Sequence, residues 1–362
     1  MTPPPDPMPA DPMPSNPMPA DHVAADRVGI AGIAYALGER LVTNDDLGRE
    51  NPTWDMSRTT ERTGVSSRAV AESGTTALDL AERAAERLFE EGSVASGDVD
   101  GLIFCTQTPD HILPGNASLL HGRLGLPQRV LAFDMVHACS GFVYAAGVAR
   151  SLVESGAATN VLVATGDTYS RLIHPGDRST RAIFGDGAAC SLVTAGPEAS
   201  LRFADFEYWT AGDRADRFMV ANGGARSPFD PDLVVEPDSN ARVSSPNHIR
   251  MDGLGLLSFF NSNVPKSVDA VLERNGLGRD DVDRIVFHQA SRMAVEGLAR
   301  ALRVGMDRVE VSFGDTGNLV SASIPVALAR MRERGALASG DTVLLCGFGV
   351  GLSWSVALLD VE

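Results

Sequence analysis

Apolar residues in this chain fall into two patterns that alternate along its length. Short unbroken runs of Val, Ile, Leu, Ala and Phe next to turn residues predict buried strands, and they lie within 27–34, 98–107, 160–166, 183–193, 280–289 and 342–347. The stretch 77–91 instead places Ala, Leu and Phe at helical spacing with charges on the other face, which predicts an amphipathic helix. Strands that alternate with helices predict an α/β fold.

The second half of the sequence repeats the order of the first. The predicted strand that ends near His288 resembles the one that ends near Cys105, and the turn around Asn318 resembles the turn around Cys139. The separations are similar, 183 residues for the first pair and 179 for the second. Self-similarity at half the chain length predicts two related α/β halves, packed about a pseudo-twofold axis.

Three regions follow from these patterns. The two predicted halves span 27–199, with the cysteine turn, and 200–362, with His288 and Asn318. Before them, 1–26 is rich in Pro and Met, with near-repeats of Asp-Pro-Met-Pro-Ala. Proline at alternate positions blocks both helix and sheet pairing, so we expect a disordered, passive tail, with a docking segment as the alternative.

Cys139 lies between a predicted buried strand and a helix rich in Ala, Val and Gly. A helix N-terminus favours a thiolate, the nucleophilic form of cysteine, and the small Ser140 and Gly141 leave room for a substrate carbonyl. A single cysteine on an apolar segment is more often structural. Here, however, His288 and Asn318 also follow predicted strands, at the edge where α/β sheets place their chemistry. We therefore predict one site that contains all three.

Composition and charge narrow the range of partners. The 362 residues are 44% apolar and carry a formal net charge of −16, which argues against nucleic acid or an anionic membrane as a partner. No run has the length of a membrane span, and no secretion signal is visible. The cysteines show neither a CxxC pair nor zinc spacing. We expect a reducing, cytoplasmic setting, no metal and no permanently bound cofactor.

Several motifs occur in a fixed order along the chain. They are Arg62-Thr63-Gly64-Val65, Ala138-Cys139-Ser140-Gly141-Phe142, Phe184-Gly185-Asp186-Gly187-Ala188, His288-Gln289-Ala290, Gly317-Asn318 with Ser321-Ala322-Ser323-Ile324-Pro325, and Gly347-Phe348-Gly349. In this order the set resembles the β-ketoacyl-[acyl-carrier-protein] synthase III family, among the thiolase-fold condensing enzymes. The resemblance runs from about residue 27 to residue 362 and implies a thiolase-like fold and a homodimer formed through the N-terminal halves.

The resemblance also implies a two-step reaction with acyl-CoA and malonyl-acyl-carrier-protein as substrates. Cys139 takes the acyl group from CoA, and the malonyl group then loses carbon dioxide and attacks the acyl-cysteine. His288 and Asn318 match a pair that hydrogen-bonds the malonyl thioester carbonyl, where enolate charge develops. The backbone N–H groups of Cys139 and Val350 match the oxyanion hole of the acyl transfer, and Phe348 matches an aromatic wall of the site.

The thioester entrance departs from the family pattern. Arg58 stands where the family often carries a Trp that stacks on the CoA adenine, and Met293 stands where it carries an Arg. The residues expected to contact CoA or the carrier protein are Arg58, Arg62, Arg178, Arg292 and Arg300. An intact catalytic trio with an altered entrance favours a specialised fatty-acid, polyketide or secondary-metabolite pathway over a housekeeping initiator of fatty acids.

Leu113 matches a position that reaches across the dimer and closes the partner's acyl pocket. A Phe at this position would restrict the pocket to short chains. Leucine is smaller and more flexible, so the resemblance implies room for a somewhat longer or branched acyl group.

Other interpretations of the function stay open at this point. The donor of the acyl group is either CoA or a carrier protein. Some relatives of this fold pass the acyl group to a hydroxyl or amine, forming an ester or amide without decarboxylation; Asn318 argues against this, because simple transfer forms no enolate. A non-catalytic partner subunit of a condensing enzyme can lose its nucleophile, whereas Cys139 is present. Hydroxymethylglutaryl-type synthases use a catalytic Glu, for which these motifs offer no convincing candidate.

Overall fold

A computed structural model describes residues 28–235 and 243–362. The tail predicted for 1–26 lies outside the described residues. Strands β1 to β13 are Val28–Leu37, Arg40–Thr43, Ser67–Val70, Gly101–Cys105, Leu131–Met135, Val161–Asp167, Gly187–Ala195, Leu201–Thr210, Phe218–Met219, Arg250–Met251, Arg284–Phe287, Thr342–Gly349 and Ser353–Val361. Helices α1 to α9 are Asn44–Glu50, Met56–Thr63, Ala77–Glu90, Asn116–Arg123, Gly141–Glu154, Arg178–Arg181, Gly253–Arg274, Arg292–Leu302 and Ser323–Glu333. Within this part of the chain, no helix combines the length and apolarity that crossing a membrane requires.

Nine of the strands form one mixed sheet, in the order β11-β12-β13-β8-β1-β7-β6-β4-β5. The two halves of the sheet meet where β1 and β8 pair antiparallel. Outward from this junction, β7 and then β6 are antiparallel to their inner neighbours, and β4 is parallel to β6. On the other side, β13 and β12 are antiparallel to their inner neighbours, and β11 is parallel to β12. The same directions in both halves confirm the predicted pair of related α/β units.

The halves differ at their outer edges. In the first half β5 pairs parallel with β4 and leads to Cys139. In the second half the equivalent position holds a parallel bridge between Ile285 and Val309, and the chain then turns towards Asn318 without a longer strand. The turns around Cys139 and Asn318 thus occupy related places with different local backbone. The domain boundary at residues 199 and 200 stays a prediction; it falls between β7 and β8.

Some helices pack on one half of the sheet, and two of them pack against both halves. Helices α5 and α9 share one buried apolar cluster with strands of both halves, including Phe142 and Ala146 on α5 and Ile324 and Leu328 on α9. Helices α3 and α4 pack on the first half, while α7 and α8 pack on the second. Because α5 and α9 are held on both sides, the loops that precede them are fixed deep inside the molecule.

Candidate active site

A cavity of about 1220 Å³ is lined by residues of both halves and reaches Cys139, His288 and Asn318. These three side chains are only 3%, 2% and 3% exposed. They come from the loop before α5, the end of β11 and the loop before α9. The structure therefore brings together the three residues that the sequence predicts for one site.

Cys139 is held against the end of β12. A Cβ added to Gly349 would lie 2.8 Å from Cβ and 2.9 Å from Sγ of Cys139, so only glycine permits this approach. The next residue, Ser140, hydrogen-bonds through Oγ to Ser353 Oγ at 2.8 Å. The nucleophile thus lies at a close contact between the two halves, although its own loop belongs to the first.

Burial raises the pKa of the Cys139 thiol, and the nearby Asp167 carboxyl raises it further. The backbone N–H groups of Cys139 and Val350 oppose this shift, because N–H donors beside the sulfur favour its charged form. The net direction is upward. Sequence reasoning expected the start of the following helix to stabilise a thiolate, but α5 begins at Gly141, two residues after Cys139, and the pKa of the buried thiol is raised. The resting side chain is therefore a thiol, faced by the two N–H groups expected to form the oxyanion hole.

His288 is a neutral imidazole with one nitrogen engaged by the protein. Burial lowers the pKa of His288 to about 3, and its Nδ1 lies 2.7 Å from Ser323 Oγ. That hydroxyl also accepts the backbone N–H of Gln289 at 3.4 Å, so its own proton is available to Nδ1. In this arrangement Nε2 carries the ring proton and can donate it in a hydrogen bond. Phe348 packs edge-on against the ring, with 5.4 Å between centroids.

Asn318 is held by its backbone and by its side-chain oxygen. It follows Gly317, whose φ of 73° is in the left-handed region that glycine tolerates. Its backbone N–H donates to Ile183 O at 2.8 Å, and its carbonyl accepts from Gly185 N at 3.0 Å. Oδ1 accepts the Val320 N–H at 2.9 Å. The amide can therefore offer its Nδ2 hydrogens to a bound group.

The mouth of the cavity contains some of the expected binding residues. Arg62 and Arg178 line it, together with Met293. Trp54, half-buried just before α2, lines it as well, whereas Arg58 is exposed and lies outside this lining. The side chain at the mouth that can stack on a base is thus Trp54, one helical turn before the position that sequence comparison indicated.

Three other predicted residues lie away from the cavity lining. Arg292 donates to Glu61 O at 3.1 Å and lines a smaller neighbouring cavity. Arg300 pairs with Glu296 on the exposed face of α8. Leu113 is 79% exposed, just before α4. The structure leaves the carrier-protein and acyl-pocket roles of these residues as predictions.

Sequence reasoning missed Trp54 in the cavity lining and the buried Asp167 near Cys139. Trp54 was overlooked because the family pattern places its aromatic residue four positions before Arg62, although a tryptophan close to that position was a usable signal. Asp167 was overlooked because no motif includes it, although it directly follows the predicted strand 160–166. Among residues 28–235 and 243–362, no group of three or more His, Cys, Asp or Glu side chains is placed to hold a metal ion.

Comparisons with known proteins show the family of the chain. The family profile described as 3-oxoacyl-[acyl-carrier-protein (ACP)] synthase III matches residues 133–212, and its C-terminal profile matches residues 272–361. The chain is 36% identical to β-ketoacyl-[acyl-carrier-protein] synthase III 3 of Streptomyces coelicolor over 331 residues, 91% of this chain and 96% of that protein. The corresponding protein of Methylococcus capsulatus is 35% identical, over 91% of this chain and 98% of its own length.

Solved structures of proteins with the same description have a similar fold. A 3-oxoacyl-(acyl-carrier-protein) synthase III is 38% identical and superposes with a TM-score of 0.88, covering 92% of this chain and 99% of its own. The 3-oxoacyl-(acyl-carrier protein) synthase of Burkholderia xenovorans is 32% identical with a TM-score of 0.84, covering 93% of this chain and 95% of its own. The similarity extends over nearly the whole described chain.

Proposed function

Because the chain belongs to the β-ketoacyl-[acyl-carrier-protein] synthase III family, it is a decarboxylating condensing acyltransferase, and we propose that Cys139, His288 and Asn318 catalyse its reaction. The observation that carries the proposal is that these three side chains, nearly inaccessible from outside, line one cavity open to a substrate. The Cys139 thiol is the nucleophile, and His288 and Asn318 are hydrogen-bond donors.

In the first step the Cys139 sulfur attacks an acyl thioester. The new carbon–sulfur bond forms as the bond to the donor sulfur breaks, and the proton of Cys139 leaves with the donor thiol. Negative charge develops on the thioester oxygen, where the N–H groups of Cys139 and Val350 are available as donors. Because the resting residue is a thiol, proton loss accompanies the attack.

In the second step a malonyl thioester loses carbon dioxide. The electron pair of the broken carbon–carbon bond moves into an enolate, whose oxygen accepts hydrogen bonds from His288 Nε2 and Asn318 Nδ2. The enolate carbon then attacks the acyl carbon, the bond to Cys139 breaks, and the sulfur regains a proton. The low pKa of His288 suits this role, because the neutral imidazole donates a hydrogen bond from Nε2 to the enolate oxygen and keeps that proton.

Trp54, Arg62 and Arg178 are proposed to bind the CoA moiety at the mouth. The flat indole of Trp54 provides a stacking surface for the adenine, and the two guanidinium groups attract phosphates. This replaces the stacking role that the sequence comparison assigned to Arg58. Arg58 remains a candidate for longer-range attraction only.

Carrier-protein docking and dimer formation are also part of the proposal. Arg292 and Arg300 present positive charge on α8, next to the mouth residue Met293. Ile112, Leu113 and Val136 are between 79% and 99% exposed, on segments next to α4 and β5. A homodimer would cover these apolar side chains and bring Leu113 to the partner's acyl pocket. We also propose that the protein acts in a specialised pathway and in a reducing, cytoplasmic setting.

Intact-protein mass spectrometry after incubation with a panel of acyl-CoAs tests the first step. Wild type and the control Cys190→Ala, a buried cysteine outside the cavity, should gain the mass of one acyl group, and Cys139→Ala should not. Leu113→Phe should lose the longer acyl groups. If no acyl-CoA labels Cys139, acyl-carrier proteins are tested next, and failure of both donors would favour the non-catalytic subunit.

Adding malonyl-carrier protein to the acylated enzyme tests the second step. Condensation releases one carbon dioxide for each acyl group consumed. Loss of the acyl group to a hydroxyl or amine, without carbon dioxide, would instead establish ester or amide formation and refute the proposed roles of His288 and Asn318.

A further inference from the structure

Asp167 is a fully buried carboxyl group that the two proposed steps do not use. It ends β6 and is 0% exposed. Its Oδ1 accepts from Gln107 N at 2.8 Å and from Thr106 Oγ1 at 3.3 Å. Its Oδ2 accepts from Ser321 Oγ at 2.5 Å and from Ser321 N at 3.3 Å. All four hydrogen bonds come from neutral donors, so no positive charge compensates the desolvation of this carboxyl group. A buried group that costs stability in this way is a candidate for a functional role.

Ser321 connects Asp167 to the loop 318–323, which supports both proposed enolate donors. At one end of this loop, Asn318 Oδ1 accepts from Val320 N. At the other end, Ser323 Oγ meets His288 Nδ1. Ser321 lies between these two contacts, and Asp167 binds both its backbone N–H and its hydroxyl.

The backbone beside this anchor is strained. Val320 has a φ of 54°, a left-handed conformation that a β-branched residue rarely adopts. Such a conformation persists only where the surroundings hold it. The direction of the Val320 N–H, which donates to Asn318 Oδ1, thus depends on an unfavourable backbone conformation. The next residue, Ser321, is bound by Asp167, which belongs to the other half of the molecule.

We propose that Asp167 is a positioning residue, which holds the loop 318–323 so that Asn318 and His288 are aimed at the enolate oxygen. The inference rests on the proposed function and deepens it. Acylation of Cys139 depends on the sulfur and on N–H groups outside this loop, whereas decarboxylation depends on the loop itself. Loss of the Asp167 anchor should therefore affect the second step selectively.

Loss of the Asp167 charge should also affect the first step, and in the opposite direction, by making Cys139 more reactive. The titratable groups that interact with Asp167 are the buried Cys105, Cys139 and Tyr169, and the carboxyl raises the pKa of each. The pKa of Asp167 itself is raised to about 7 by burial, with its four hydrogen bonds opposing the shift. Above that pH the carboxylate disfavours the Cys139 thiolate. Removing its charge should lower the pKa of Cys139 and make the sulfur more reactive.

The test compares Asp167→Asn with two matched variants of the full-length protein. Ser321→Ala removes the hydroxyl that binds Asp167 but keeps the charge. Asp134→Asn changes the carboxylate of β5 that accepts the backbone N–H groups of Asn116 and Ala117, away from the loop 318–323. For each variant, the rate of Cys139 alkylation by iodoacetamide is measured across pH, as are the rate of acylation and the rate of carbon dioxide release from malonyl-carrier protein.

Asp167→Asn should slow decarboxylation at least tenfold relative to acylation and shift the alkylation profile to lower pH. Ser321→Ala should slow decarboxylation without that shift, and Asp134→Asn should leave the ratio of the two rates as in wild type. Equal loss of both rates in Asp167→Asn, or no loss, would overturn the inference. If Asp167→Asn does not fold, the ratio in Ser321→Ala decides. Failure of the wild type to acylate or decarboxylate would count against the proposed function instead.

Discussion

The interior of the cavity and its mouth are built in different ways. In the interior, Cys139, His288 and Asn318 are almost completely buried and each is held by specific contacts, namely the close approach of Gly349, the Ser323 hydroxyl and the Val320 N–H. At the mouth, by contrast, the side chains of Arg62 and Arg178 are exposed.

The difference reflects what each region has to do. Stabilising charge in a transition state requires donors that are already aimed, so that no reorganisation is needed during the reaction. Binding a charged substrate requires cations that remain solvated and adaptable. The chain carries a net charge of −16, and the arginines at the mouth give a local positive field within that acidic whole. Variants of the interior should therefore alter rates, and variants of the mouth should alter binding.

The largest effect is expected for the interior donors. Asn318→Ala and His288→Ala should each lower the rate of malonyl decarboxylation about 100- to 1000-fold, since each removes one donor from the enolate oxygen. Acylation of Cys139, followed by mass spectrometry on the same samples, should change much less. A parallel collapse of both rates would mean that His288 and Asn318 do not act selectively in the second step.

An intermediate effect is expected at the mouth, where Trp54→Ala and Arg58→Ala form a direct comparison. Loss of the stacking surface of Trp54 should raise KM for acyl-CoA about tenfold with little change in kcat, because base stacking contributes about 1–3 kcal/mol. Arg58→Ala should leave KM nearly unchanged. A larger increase in KM for Arg58→Ala than for Trp54→Ala would instead assign adenine stacking to Arg58, as the family motif indicates.

The smallest effect is expected outside the cavity. Arg300→Glu should raise KM for malonyl-carrier protein a few-fold at low salt, and the difference should fade as ionic strength rises. Acyl-CoA loading should be unaffected. Arg83→Glu is the matched control, because Arg83 also forms an ion pair at the surface, with Glu39, and lies on α3 of the first half. Equal losses in both variants would point to overall charge and not to a docking surface on α8.

The elements of the fold could be predicted where the signal is local. Helix α3 was expected at 77–91 and is observed at Ala77–Glu90, with Thr76 and Asp79 forming a reciprocal cap at its start. Hydrophobic spacing reports which face of a segment is buried, whatever it packs against. The outer edge of the second half was less predictable, because the strand position there is reduced to the bridge at Val309.

Periodicity and ordered motifs are properties of the chain, and they were enough to predict the α/β class, the internal repeat and the three residues that meet in the cavity. The packed structure was needed to show that Trp54 lines the mouth in place of Arg58, that the pKa of Cys139 is raised, and that Asp167 accepts a hydrogen bond from Ser321. Desolvation, Coulomb interactions and hydrogen bonds depend on distances between atoms, and Asp167 and Ser321 are brought together only when the two halves pack.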